Sequence, residues 1–380
     1  MNRAESVLLL VALAAPLIGV AVGCEDKKPS GDTARTDASA GTDRYATADP
    51  KLAKALQAAA SATAASDNGP PPDGIFAPGA ADHRHAKGAP TKVDVLAEGS
   101  DPKIALESVA DASSDAARAS SYGPAVLEIA QQMGQRAAAP TLDFALLLGP
   151  GKLAAAGPDT LVALVKSASL AKDQLGAAPP GLEKDIASLQ GTEIRLKLSP
   201  DGKQSDLSML LGKTSKPDLD RLTQNAAEAL AMAVVALPDK PVGVGAQWIA
   251  ETRMPLSGLD VVTYRAFRVK SIEGDRVHLT LDVKAYAADG DVQLAGVPKG
   301  ATLAQFDAAG QGELELVRGE MLARKSDVQQ RVVMVFAPPG GVDKPEPGQP
   351  PQQQQMMTAQ IVVQATFVRG DDLRQAMKHP

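Results

Sequence analysis

Thr192-Glu193-Ile194-Arg195-Leu196-Lys197-Leu198 alternates strictly between apolar and charged side chains. Ser199-Pro200-Asp201-Gly202 closes the run, and Asp206-Leu207-Ser208-Met209-Leu210-Leu211 follows. Alternation at period two gives a strand with one buried and one wet face, and the Pro-Asp-Gly sequence is good turn chemistry. The pair therefore predicts a β-hairpin. The same pattern recurs along the chain. Thr141–Leu148 ends at Gly149-Pro150-Gly151, and Thr160–Val165 is a second run. Gln247–Thr252 and Val261–Ile272 lead through Glu273-Gly274-Asp275 into Arg276–Val283, which again alternates strictly. Gly312–Val317, Glu320–Lys325, Gln330–Phe336 and Thr358–Val368 complete the set. Short turns between alternating strands predict an antiparallel meander. One amphipathic helix is expected from Pro217 to Leu237. Leu219, Leu222, Ala226, Leu230, Ala233 and Leu237 recur at steps of three and four, and Pro238 ends it. The expected class is α+β, mainly β: a large curved antiparallel sheet or partial barrel with one long packed helix over 217–237.

The sheet-forming pattern starts near Val93, and the expected domain spans 93–380. From Cys24 to Lys92 the chain is rich in Ala, Ser, Thr, Asp, Gly and Pro. Such a tract buries too little apolar surface to offset chain entropy and reads as a disordered tether over 24–92. Its root-mean-square reach would be roughly 45 Å. Its acidic and basic side chains balance, so it carries no polybasic block for anionic headgroups. A second interruption, 338–355, with Gln352 to Gln355 among prolines and glycines, reads as a disordered loop between the last two strands.

The first 23 residues have a different character. Arg3 is the only early positive charge, and Val7–Val22 is an almost unbroken apolar run interrupted by Pro16. The run is short for a membrane span, which needs about 20 apolar residues. Its length and position fit the apolar region of a secretory signal peptide over 1–23. The run ends in Ala21-Val22-Gly23-Cys24, which resembles the lipobox of bacterial lipoproteins. Cys24 is the only cysteine in 380 residues, so no internal disulfide competes for it. The resemblance implies cleavage before Cys24, lipidation (palmitate among its acyl chains) on that residue, and membrane attachment in the cell envelope. Each buried methylene contributes about 0.8 kcal/mol, so several acyl chains make a stable anchor. Glu25, where an Asp can favour inner-membrane retention in lipoproteins of this class, points to the outer membrane.

A second resemblance lies in Pro241-Val242-Gly243-Val244-Gly245-Ala246-Gln247-Trp248 and Arg318-Gly319-Glu320-Met321. These segments resemble secreted bacterial lipoprotein domains of uncharacterised function over about Leu237 to Lys325. That group supplies no activity. Trp248 reads as a core plug.

Composition narrows the function. Hydrophobic residues are 44% of the chain but aromatics only 3%, and the net charge is −6. An acidic chain without basic patches or stacking platforms does not fit nucleic-acid binding. No catalytic constellation is recognisable. Gly212-Lys213-Thr214 lacks the first glycine of a phosphate loop, since Leu207 stands in its place. His83 and His85 read as surface histidines of the tether, with no third ligand nearby. His278 is expected to point outward from a strand whose buried face is Val277, Leu279, Leu281 and Val283. Glu313 and Glu315 share one wet strand face. No catalytic, cofactor or metal residues are assigned, and Cys24 is the single site residue. The expectation is a non-enzymatic, membrane-tethered envelope protein that binds or scaffolds another envelope component. The alternatives are a periplasmic carrier of a hydrophobic ligand and, third, a hydrolase without a recognisable nucleophile.

Overall fold

A computed structural model describes residues 71, 73–106, 122–133, 137–138, 140–150, 159–171, 180–199, 201–216, 219–290, 294, 297–339, 356–370 and 373. The lipobox, the first part of the tether and most of the 338–355 loop lie outside the described residues. The strands are β1 (Lys92–Ala97), β2 (Gly123–Met133), β3 (Ala137–Ala138), β4 (Leu142–Pro150), β5 (Thr160–Leu170), β6 (Glu193–Leu198) and β7 (Gln204–Leu210). After a helix come β8 (Gln247–Leu256), β9 (Leu259–Glu273), β10 (Arg276–Ala287), β11 (Thr302–Val317), β12 (Lys325–Ala337) and β13 (Met357–Arg369). Three short helices, α1 (Ala80–Arg84), α2 (Leu182–Ala187) and α3 (Asp220–Met232), complete the described elements.

All the strand ladders are antiparallel. Twelve strands follow one path, β1-β8-β9-β10-β11-β12-β13-β2-β4-β5-β6-β7, and β3 pairs with β2 beside it. Two meanders, β2 to β7 and β8 to β13, are thus stitched together where β13 pairs β2, with Phe367 opposite Leu127. The sheet is not closed, because no ladder joins its edges β1 and β7. The edges do meet at one point. The Thr91 N–H donates to the Gln204 carbonyl at 2.9 Å, and the Gln204 N–H donates to Thr91 Oγ at 2.9 Å.

The predicted hairpin is β6–β7, with Ile194 opposite Met209 and Leu196 opposite Leu207. Val277, Leu279, Leu281 and Val283 are buried, as alternation requires. Gly310 and Gly312 sit on the same inner face, opposite Val283 and Leu281. A Cβ on Gly312 would lie 2.5 Å from the Asp327 carbonyl oxygen, and one on Gly310 would lie 2.8 Å from that of Gln329. Only glycine lets β11 approach β12 this closely.

The expected long helix is shorter than its periodicity suggests. It runs from Asp220 to Met232, and residues 233–237 leave it as a fully buried segment that turns at Ala233 and bridges Leu322 through Val234. Tertiary partners take the backbone groups that would have continued it. Arg265 Nη1 donates to the carbonyls of Ala231 (3.1 Å) and Val234 (2.8 Å). The Val235 N–H donates to the Met321 carbonyl at 2.8 Å, and Ala323 N–H to that of Ala233 at 2.9 Å. The Leu237 N–H reaches the Asp201 carbonyl at 2.9 Å. Val234 and Val235 are β-branched and favour an extended backbone after that turn. The helix and its extension fill the inner side of the sheet. Ala226, Ala227 and Leu230 pack with Phe144, Ile194 and Phe367, while Val235 and Leu237 pack with Trp248 and Leu281.

Residues 73–89, which composition places in the tether, lie on the outer face of β8 to β10. Ile75 bridges Ala287, and Phe76 and Ala81 are buried against Ile249, Val262, Tyr264, Ala266 and Tyr286. This strap explains why Val261–Phe267 does not alternate cleanly. Its strand is buried on both faces, so the polar face is missing there. Glu320–Lys325, expected as a strand, is instead a loop ending at β12. Its carbonyls and N–H groups serve the 233–237 segment and Arg369.

One helix side chain ties α3 to the β8–β9 turn. Glu228 accepts from the Ser257 N–H (2.9 Å) and from Gln224 Nε2 (3.0 Å). Burial pushes its carboxyl up to about 7 from an ordinary 4.5, against the opposing hydrogen bonds. A carboxyl raised in the folded state stabilises below the unfolded value and loses that contribution as pH rises through the folded one. Stability is therefore expected to fall between about pH 4.5 and 7, by no more than about 3 kcal/mol. Glu228→Gln keeps an acceptor for Ser257. Urea unfolding of this variant should be flat over that window, with a higher midpoint than wild type at pH 8. A wild-type slope retained in the variant would contradict the assignment.

Candidate functional site

On the outer face, beyond the strap, β9 to β13 form an open trough of about 500 Å³, lined by charged and apolar side chains together. The register builds it row by row. Ser271, His278, Glu315, Lys325 and Val368 lie in line across five strands, and Thr280, Glu313, Asp327 and Thr366 form the next row. His278 thus points outward, as expected, and Glu313 and Glu315 share its face. Glu313 and Glu315 each have a cationic partner. Glu313 pairs with Lys270 at 2.8 Å, and Glu315 pairs with Arg276 and, at 3.8 Å, with Lys325. Exposed ion pairs of this kind contribute roughly 0–1 kcal/mol each and are screened by salt. Paired carboxylates are poorly set up for proton transfer. The trough suits recognition of a surface with mixed charge better than acid–base chemistry.

A small apolar opening lies where α2 and α3 meet β2 and β4, lined by Ile129, Pro140, Leu142, Leu182 and Leu222. Its volume is about 20 Å³, which is scarcely one water molecule. Asn225 Nδ2 donates to Gln131 Oε1 at 3.0 Å beside it.

The two histidines of the tract before β1 differ. His85 is buried rather than on the surface, because the strap carries it onto the sheet. Its Nδ1 lies 3.6 Å from Glu251 Oε1, and its Nε2 is 3.2 Å from the Ala89 carbonyl. Both His85 and Glu251 are about nineteen-twentieths covered. Tyr264 lies in the same layer, and burial followed by the nearby Glu251 charge raises its hydroxyl above the ordinary value. Arg253 pins the same part of the strap, donating to Asp82 and, at 3.2 Å, to the His85 carbonyl, and it bonds Asp260 at 3.1 Å. Among the described residues, no group of three or more His, Cys, Asp or Glu side chains is placed to hold a metal ion. Nor is any described helix long and apolar enough to cross a membrane.

The segments that carry the second resemblance have structural work. Trp248 is fully buried, stacks on Phe267 with centroids 5.3 Å apart, and donates through Nε1 to the Ala236 carbonyl at 2.9 Å. Glu320 is buried between Arg324 and Arg369. Gly319 takes a φ of 79°, which turns the chain into that loop. Sequence reasoning missed Arg265, a fully buried arginine on the inner face of β9. Its signal was an arginine inside the apolar run Val261–Phe267, where a wet position would otherwise be expected.

No protein-family model matches the chain, and no curated protein matches it either.

Proposed function

We propose that the chain is a bacterial envelope lipoprotein, anchored through lipid on Cys24, that engages another envelope component rather than turning over a substrate. The observation that carries this reading is the pairing of a filled interior with an open trough edged by charged side chains. The inner face of the sheet is occupied by α3 and residues 233–237. The trough on the opposite face offers His278, Thr366 and alternating charges at strand spacing. Such a surface recognises a partner by charge register, with a rim that is sensitive to salt. The tether would let the domain search for that partner away from the bilayer.

A photo-reactive residue at Thr366, in the trough, tests the reading in the native cell. A discrete adduct with one envelope component is expected, and it should be absent when the photo-reactive residue replaces Lys87 on the strap. Adduct-free chain at both positions would count against a binding role. The anchor predicts a second result. Cys24→Ala should yield a chain that carries no lipid and is not cut before residue 24, and a variant that is still acylated or still cut there would contradict it.

A carrier of a hydrophobic ligand is the second reading. Among the described residues the inner face is filled by α3 and residues 233–237, which weighs against it, since ligand cavities run to several hundred cubic ångströms.

A further inference from the structure

Five polar side chains collect on the inner face where the two edges of the sheet meet: Thr91, Gln204, Thr252, Thr263 and Arg265. Each is at least 98% covered. Their adjacency follows from the hydrogen bonds and the register. Thr91 Oγ donates to the Gln204 carbonyl at 3.0 Å and lies 3.0 Å from Thr252 Oγ. Thr252 is the register partner of Thr263. Arg265 is two residues further on the same face of β9, about 7 Å away along the strand.

This cluster is not internally satisfied. Both side-chain atoms of Gln204, the Thr263 hydroxyl, and Nε and Nη2 of Arg265 meet no hydrogen-bond partner among the described residues. Buried polar atoms are paired in the large majority of cases, so five unmatched atoms in one cluster need a physical cause. The charge needs one as well. Nη1 of Arg265 caps the end of α3, whose dipole supplies roughly half a negative charge there. Among the described residues no carboxylate faces the guanidinium, and burial pulls it down to about 10. The groups left over have a particular shape. Nε and Nη2 form the edge of the guanidinium that takes two oxygens of a planar or tetrahedral oxyanion side by side. The Thr263 hydroxyl and the Gln204 amide can donate to a further oxygen. Water would satisfy the donors but leave the charge.

We propose that Arg265, with Thr263 and Gln204, forms a buried receptor for one oxyanion, a carboxylate or a phosphate group. The inference rests on neither functional reading above. The oxyanion can be a free ion that completes the fold, or the head group of an amphipathic lipid.

Thermal unfolding of the full chain in potassium phosphate, acetate, hexanoate and chloride, at matched ionic strength, tests it. Phosphate or carboxylate should raise the melting temperature saturably above chloride. Hexanoate binding more tightly than acetate identifies an amphipathic ligand, and equal affinities identify a free anion. Gln204→Leu and Thr263→Val leave Arg265 in place and remove the neighbouring donors. Each should weaken the oxyanion about tenfold or more, since a hydrogen bond to a charged group is lost. A purely structural cluster behaves in the opposite way, because removing unmatched buried polar atoms stabilises the protein and leaves its anion response unchanged. That outcome, or the same melting temperature in all four salts, overturns the proposal. The wild-type salt series stands alone if either variant fails to fold.

Discussion

Glu320→Gln is expected to destabilise the protein by about 3–5 kcal/mol, because it breaks a buried ion pair. Glu320 is 3% exposed and Arg369 is 2% exposed. Arg369 Nη2 bonds Glu320 Oε2, its Nε donates to the Ala323 carbonyl at 3.0 Å, and it also reaches the Leu322 carbonyl. Arg324 closes the other side of the carboxylate, with Nε 2.8 Å from Oε2. The group therefore locks the 320–325 loop, on which the 233–237 segment hangs, to the end of β13. Neutralising Glu320 removes the buried carboxylate that Arg324 and Arg369 share. Chemical unfolding measured by far-ultraviolet circular dichroism should show the loss as a lower midpoint. The double variant Glu320→Leu, Arg369→Met removes both charges and should recover most of it. A Glu320→Gln midpoint within about 0.5 kcal/mol of wild type would mean the pair is not buried in solution.

Trp248→Ala is expected to cost a similar amount, about 3–5 kcal/mol for the lost packing. The Ala236 carbonyl would lose its donor as well, at about 1–3 kcal/mol. Trp248→Phe separates the two contributions. It keeps most of the contact with Phe267 but orphans the carbonyl, so its loss should be close to the hydrogen-bond share alone. Trp248 is the only tryptophan in the chain, so its fluorescence in wild type reports this site directly. Emission typical of an indole in water would contradict full burial.

Period-two alternation was enough to find most of the sheet. β6, β7 and β10 are half-buried strands whose sequence states their face directly. The signal fails where a strand is buried on both sides or threaded by other backbone. The run Val261–Phe267 loses its polar face because the strap covers it, and nothing local in the Ala- and Gly-rich sequence before β1 announces that strap. Ile75 and Phe76 are the large apolar residues of its described part, and both pack on the sheet. The helix end was misjudged for a related reason. Ala233 and Leu237 keep the helical spacing, but Arg265, Met321 and Ala323, distant in sequence, supply better partners for that backbone. The order of strands, with β13 beside β2, likewise depends on long-range pairing that no local pattern encodes. Of the site residues, His278, Glu313 and Glu315 were legible as one wet face from parity alone. Arg265 and the seam cluster were not, because their meaning depends on which edges of the sheet meet.

Localisation by lipid on Cys24 is the central functional claim, and intact-mass and N-terminal peptide analysis of the membrane-extracted protein tests it most directly. The account predicts a mature chain that begins at Cys24 and carries a diacylglyceryl group, usually with a third acyl chain. A chain that retains Met1, or that begins at an unmodified residue, would contradict it.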